Sequence, residues 1–346
     1  MRISPWFCKF FQRFCQVIVW FTSNMEYFDV VIIGGGPAGS TSAITLSRLG
    51  HKVLLYDEIR PNKLRIDESL PSGTQQLLHK LVIMEQFLKE SYMISYGNVF
   101  AWGSPKLETA DFILNPYRNG WQINRINFNM FLQRIAQNVG TNIHVGKANV
   151  MFSGDEWCVV DETSQYDDVK CRWIVDASGR NSIISKKYGA NKTHTDKLIA
   201  FVSFLDSNTK EDQDTRTLIE SVSNGWWYTA LIQPKKRVIV FLTDADLVDN
   251  SKMVSYDGFV ATINKTLHIS KIVKEKEYIF QDSIQGTNAG SSYLDKYMGQ
   301  NWIAVGDAAM SFDPISSQGI LNAMYTGISL VLHEETFEAV CDKCRN

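Results

Sequence analysis

Two kinds of hydrophobic pattern divide this chain. Near its start, Val30 to Ile33 is an unbroken apolar run, the mark of a strand buried on both faces of a parallel sheet, and it leads directly into Gly34-x-Gly36-x-x-Gly39. An amphipathic segment follows and closes at Gly50, and a second apolar run, Val53 to Tyr56, ends in Asp57. The pattern predicts strand, glycine turn, helix and strand in succession. Gly34 allows the tight turn, Gly36 lets the backbone approach a pyrophosphate, and Gly39 lets the helix pack on the strand. Asp57 lies at about the 20-residue separation at which an acid meets the ribose of a dinucleotide. The helix N-terminus then faces the phosphate charge.

Further on, Pro61 and Pro71 bracket a loop carrying Arg65, Glu68 and Ser69, and helical spacing resumes from Leu77. Strand-like residues fill Tyr96 to Leu114. The stretch GWQINR then opens a helix with Phe128, Phe131, Leu132 and Ile135 on one face. Short strands are expected at Ile143 to Val150, Trp157 to Val160 and Trp173 to Val175, the last running into DASGR at 176–180. From about Lys197 to Tyr278 the pattern changes to alternation, in LIAFVSFL, TLIESV, GWWYTALI and VIVFLTDA, with a helix over Asp257 to Leu267. Alternation predicts antiparallel strands, and such a sheet can turn one face to a ligand. Trp302 to Val305 restores a buried strand, and GDAA and DPISSQG lead from it into a long helix. The expected fold is α/β: a Rossmann-like dinucleotide-binding domain over 25–196 and 286–346, with small substrate-side segments near 80–120, and an antiparallel sheet inserted over 197–285.

Composition narrows the class. Apolar residues make up 45% and charged ones 21%, ordinary for a globular protein, and 35 basic against 37 acidic residues leave a net charge of −2. No electrostatic field points to nucleic acid or to an anionic membrane. Six scattered cysteines suit reduced thiols in the cytoplasm. Cys341-x-x-Cys344 lacks a second pair, so no metal site is expected. Residues 1–24 place Phe7, Phe11, Phe14, Ile18 and Phe21 at helical spacing, and their longest apolar run, Phe14 to Phe21, is too short to span a bilayer. The favoured reading is a leader added by an upstream start; a peripheral amphipathic anchor and a poor signal peptide stay open.

GGGPAG with Asp57, DASGR, and GDAAMSFDP at 306–314 together resemble the FAD-dependent monooxygenases and halogenases built like aromatic hydroxylases, over Met25 to about Leu332. The resemblance implies FAD held non-covalently, with Gly34, Gly36 and Gly39 at the pyrophosphate turn and Asp57 on the adenosine ribose. It implies Arg125 near the ribityl and pyrophosphate, Asp307 on the ribityl chain, and a loop after Pro314 that sets the helix N-terminus at Gly319 against the flavin pyrimidine. A helix N-terminus there suits the negative charge of a reduced flavin. An ordinary helix cap explains SSQG equally well.

GWQINR, AWGS, DESLPSG, GWWYTALI and FDPISSQGI also resemble flavoproteins of the tryptophan halogenase-like family that mature quinone-cofactor enzymes. That similarity implies oxygenation of a tryptophan within a partner polypeptide, such as a quinone-cofactor oxidase. Halogenases of the family use a lysine, a glutamate and a Trp-x-Trp-x-Ile-Pro signature. Here YGNVFAWGS carries no lysine, Ser316 stands at the glutamate position, and Trp226-Trp227-Tyr228 replaces the signature, so halogenation is not expected. Asp67 stands where relatives have the glycine of Gly-Glu-Ser, and Asn124 where they have an aspartate before Arg125.

The expected function is therefore FAD-dependent oxygenation of an aromatic substrate. A reductase or dehydrogenase of a hydrophobic substrate is the alternative, as is a non-catalytic, truncated or decayed flavoprotein. Trp226, Trp227 and Tyr228 are candidates for a substrate wall, although an aromatic run on a strand fits a core equally well. Catalytic residues stay unassigned. No second glycine-rich unit is present, so reductant comes from transiently bound NAD(P)H or from a partner reductase.

Overall fold

The computed structural model describes residues 25–58, 68–112, 116–117, 119–207, 212–280 and 284–330. Residues 1–24, Arg65, Asp67 and the pair Cys341 and Cys344 lie outside them. Strand β1 (Glu26–Ile33), helix α1 (Pro37–Arg48) and strand β2 (Val53–Asp57) form the expected opening unit. They are followed by α2 (Thr74–Lys80), β3 (Gly97–Ala101), β4 (Gly120–Gln122), α3 (Arg125–Asn138) and β5 (Asn142–Val145). The apolar run expected as one strand over Ile143 to Val150 is two. It breaks at Gly146, whose N–H donates to the Asp57 carbonyl, and resumes as β6 (Ala148–Ser153). That break lets β5 pair parallel with β2 while β6 turns back to pair antiparallel with β7 (Glu156–Asp161).

β8 (Val169–Asp176) lies beside β1 in parallel register, with Ile33 opposite Asp176. Helices α1 and α3 cover one face of this sheet through Ile44, Phe128, Phe131 and Leu132, all inaccessible to solvent. On the other face Val31, Leu54 and Ile174 pack with Trp157 of β7. Both faces are thus buried, which is why these strands read as unbroken apolar runs rather than alternating ones.

The second sheet contains β9 (Leu198–Asp206), β10 (Thr217–Val222), β11 (Gly225–Gln233) and β12 (Lys236–Asp244), in the order β9–β12–β11–β10–β3. The pairing is antiparallel except at β10, where β3 joins in parallel. The helix expected over Asp257 to Leu267 ends sooner, at Ile263, as α4 (Tyr256–Ile263), and a further helix, α5 (His268–Glu275), begins just beyond the expected range. Glu220, buried on β10, accepts the backbone N–H groups of Leu267, His268 and Ile269, so it supplies the start signal for α5 from a distant strand. Helices α4 and α5 cover one face of the sheet.

The chain returns through β13 (Gln285–Asn288), β14 (Ser292–Leu294) and β15 (Trp302–Ala304), which pairs parallel with β8, and reaches α6 (Gly319–Ser329). Among the described residues no helix is long and apolar enough to cross a membrane.

Candidate functional site

The turn between β1 and α1 is shaped by backbone demands. Gly34 has φ +113°, and a side chain on it would meet the Ala177 carbonyl; a Cβ on Gly39 would lie 1.9 Å from the Gly34 carbonyl oxygen. Gly36 differs, because a Cβ there meets nothing within 4 Å and points into open space. That space is a cleft of about 690 Å³ lined by Gly34, Gly36, Asp57, Arg125, Asp307 and Gly319. Gly36 is the N-cap of α1 and no side chain caps the helix, so its first backbone donors face the cleft without an internal acceptor from a cap.

Asp57 ties the turn to its surroundings. One carboxylate oxygen accepts the Gly35 N–H at 3.0 Å, and the other accepts Nε2 of Gln133 at 2.7 Å. Gln133 also donates to the Gly35 carbonyl at 2.8 Å, which links α3 to the glycine turn. Nothing in the sequence singled out Gln133, since one polar residue on a helix carries no local signal. Asn124 caps α3 by accepting from Ile126 and Asn127, at 3.0 and 3.1 Å. Asparagine and aspartate cap equally well, so the departure from the relatives' pattern keeps this helix start and sets Arg125 at its first turn.

Asp307 sits in a short 3-10 turn, Gly306–Ala308, at the far side of the cleft. Its carboxylate is 3.4 Å from Nε of Arg180, whose other nitrogens donate to the carbonyls of Gly290 and Phe312. Arg180 of DASGR therefore couples the Asp307 turn to the loop that precedes Pro314. Beneath it, Nζ of Lys192 donates to the Arg180 carbonyl, Ser182 Oγ and the Asp307 carbonyl, at 2.8, 2.9 and 3.2 Å. Burial pushes this ammonium down to about 8, against the pull of Asp307 in the other direction. Lys192, like Gln133, had no sequence signal, because its partners are mostly backbone oxygens gathered by folding.

Pro314 lies outside this cleft, in a neighbouring pocket with Ile315, Ser317 and Ile320, and Gly319 lines both spaces. Asp313 caps the Pro314–Ser316 turn through the Ile315 N–H, and burial pushes its carboxyl up. Ser316 donates to the Asp313 carbonyl at 2.8 Å, so its hydroxyl serves its own turn. The N-cap of α6, Gln318, makes no side-chain cap. The start of α6 therefore offers backbone donors where cleft and pocket meet.

The second sheet closes the pocket with Ile219, Trp226, Tyr228 and Ala230. Trp227 does not take part, which corrects its assignment to a substrate wall. Strand alternation turns it to the opposite face, where it is wholly buried and stacks on Phe241 at 4.7 Å and against Phe259 at 5.1 Å. Buried polar residues complete the pocket. Glu68 accepts the Tyr228 hydroxyl at 3.2 Å, and Gln122, on β4, donates to Thr217 at 2.9 Å. Both occur in stretches that the sequence marks, DESLPSG and GWQINR, yet their meeting is tertiary. Among the described residues no lysine lines this pocket, and no group of His, Cys, Asp or Glu is arranged to hold a metal.

Residues 27–331 match the FAD binding domain family, and the chain belongs to it. The chain is 30% identical over 307 residues to LodB of Marinomonas mediterranea, assigned by name to the FAD-dependent oxidoreductases, covering 87% of this chain and 82% of LodB. In fold it is similar to the myxobacterial chondrochloren halogenase CndH, with a TM-score of 0.77 at 22% identity over 87% of this chain and 73% of that one. It is also similar to the peptidyl tryptophan dihydroxylase QhpG, with a TM-score of 0.71 at 18% identity over 90% and 69%. The protein is an FAD-dependent oxidoreductase of the FAD binding domain family. The cleft fits FAD on its own features: the open Gly36 position, the bare N-terminus of α1, and the polar groups of Asp57, Arg125 and Asp307 along its length.

Proposed function

We propose that this protein is an FAD-dependent monooxygenase that oxygenates an aromatic ring, specifically a tryptophan side chain in a partner polypeptide, as in quinone cofactor biogenesis. The observation that carries the reading is the pocket beyond Gly319, which pairs an aromatic wall, Trp226 and Tyr228, with buried polar groups and holds no lysine among its described residues. Reduced FAD bound in the cleft supplies the oxygen-activating chemistry. The chain's own residues bind and orient. Gly34, Gly36 and the start of α1 would hold the pyrophosphate, Asp57 the adenosine ribose, Arg125 and Asp307 the middle of the cofactor, and the start of α6 at Gly319 the flavin pyrimidine.

Trp226, Tyr228, Ile219 and Pro314 exclude water and present flat apolar surface to a ring, which favours an electron-rich aromatic over a polar substrate. Among the described residues of the pocket there is no lysine to carry a halogen from flavin to substrate, and Ser316 donates its hydroxyl to its own turn. The activity of QhpG, on a peptidyl tryptophan, agrees with a polypeptide substrate here. A quinone-cofactor oxidase chain is the partner class we assign, with NAD(P)H or a partner reductase as electron source and the cytoplasm as the compartment. The test is turnover of the FAD-loaded enzyme with reductant and isotopically labelled O₂ on tryptophan-containing peptides. Labelled oxygen on the indole is expected, and an anaerobic, label-free reduction of a hydrophobic substrate would replace this reading by that of a reductase.

A further inference from the structure

Gln122 is placed in a way that structural duty does not exhaust. All three residues of β4 are buried, and Gln122 itself is wholly inaccessible. Its backbone pairs with Ser69 on one side and Met93 on the other, so the main chain is committed to the small sheet. The side-chain Nε2 donates to Thr217 at 2.9 Å and to Ser95 at 3.4 Å. Among the described residues Oε1 has no hydrogen-bond partner, although it is buried in the wall of the aromatic pocket. A buried amide oxygen without a donor is unfavourable, and native proteins rarely keep one unless something fills it. Nearby, Glu68 already accepts from Tyr228. The polar end of the pocket thus presents acceptors, framed by rings.

We propose that Gln122 reads the substrate ring: its Oε1 accepts a hydrogen from a ring N–H, so the pocket selects aromatic rings that carry a donor, indole or pyrrole, over rings that carry none. The inference rests on the aromatic-substrate reading above and deepens it. A site built to hydrogen-bond a substrate N–H rejects an analogue lacking it far more strongly than an apolar pocket rejects a change of size, because the buried acceptor is then left unpaired. The same bond fixes the rotation of the ring in its own plane, which decides which carbon is presented to the cofactor. The whole pocket is small, about 40 Å³. Gln122 itself has no solvent exposure, so a ring reaches Oε1 only as the wall of the pocket gives way, with its N–H edge first.

The experiment is a titration of the FAD-loaded, full-length enzyme with indole, N-methylindole and benzofuran, following the change in visible flavin absorption. Indole is expected to bind at least tenfold more tightly than N-methylindole. Gln122→Met, which keeps the bulk and removes the acceptor, should bring the two affinities together, while Gln122→Glu, which keeps an acceptor, should preserve the preference. Equal affinity in the unaltered enzyme, binding of neither indole, or preference for benzofuran, a ring that accepts and does not donate, would each overturn the assignment. Binding and oxygenation are read separately. Selective binding of indole without oxygen insertion would remove the monooxygenase reading and leave Gln122 as the ring-reading residue; oxygenation without selectivity would do the reverse.

Discussion

The flavin cleft and the aromatic pocket meet at Gly319, yet they are made of different material. The cleft is mostly backbone: a glycine turn, two helix starts, and a few charged groups that lock these pieces to one another. The pocket is mostly side chain, assembled from residues 68–69, β4, β10, β11 and the Pro314 loop. A site made of backbone is sensitive to any side chain placed where none belongs. One made of side chains depends on which face of a strand each residue occupies, and neighbours in sequence can have unrelated roles. Trp226 and Trp227 are the clearest pair.

The largest effect expected is at the glycine turn. Gly36→Val should abolish FAD binding while leaving the fold intact, because the added atoms enter the cleft and touch no protein atom at Cβ. Gly39→Val should instead fail to fold, since its Cβ would overlap the Gly34 carbonyl. Flavin content and circular dichroism of the two purified variants check this contrast, and a yellow Gly36→Val protein would dissolve it.

Next is the tryptophan pair. Trp227→Ala removes a ring from the core between the sheet and helices α4 and α5 and should cost about 3–5 kcal/mol of stability. Trp226→Ala should act on substrate affinity as well as on stability, because its ring borders the pocket while packing in the buried cluster of the sheet's other face. Urea midpoints and substrate KM, measured for both, would separate wall from core. A smaller effect is expected from Asp307→Ala: loss of charge-assisted hydrogen bonds to FAD, each about 1.5–3 kcal/mol, weakens FAD roughly tenfold to a hundredfold. Flavin release during dialysis gives the number.

The smallest effect concerns pH and the helix-covered face of the sheet. There Asp212 and Arg237, both buried, meet at 2.6 Å, and Tyr278 donates to Asp212 at 3.0 Å. Burial pushes the Asp212 carboxyl up, but Arg237 and the hydrogen bonds outweigh it and hold it below the ordinary 3.8. Its folded value is then lower than its unfolded one, so its stabilisation is complete above the unfolded value and disappears as pH falls through the folded one. Urea midpoints should stay flat on this account from neutral pH down to about pH 5 and drop below it, and less steeply in Asp212→Asn.

Much of the cleft was legible in the sequence because its requirements are local. Gly34 to Asp57 needs only a strand, a turn that tolerates glycine alone, and an acid at the next strand end. The reading stopped where partners come from afar. Gln133 and Lys192 hold Asp57, Gly35 and Asp307 in place, but each is an ordinary polar residue until the fold supplies its acceptors. The start of α5 was hidden for the same reason, because its acceptor, Glu220, comes from a distant strand. With Trp226-Trp227-Tyr228 the period-two rule was available and separates the middle ring from the outer two; what it lacked was the knowledge of which face is covered by helices.

The most direct measurement of the central claim is mass spectrometry of a tryptophan-bearing partner polypeptide and of free tryptophan after turnover with reductant, O₂ and bromide together. The account predicts added oxygen on the partner's indole, little change in free tryptophan, and no bromine on either. Bromine on the ring would contradict it, since the pocket would then transfer halogen without a lysine among the described residues of its wall.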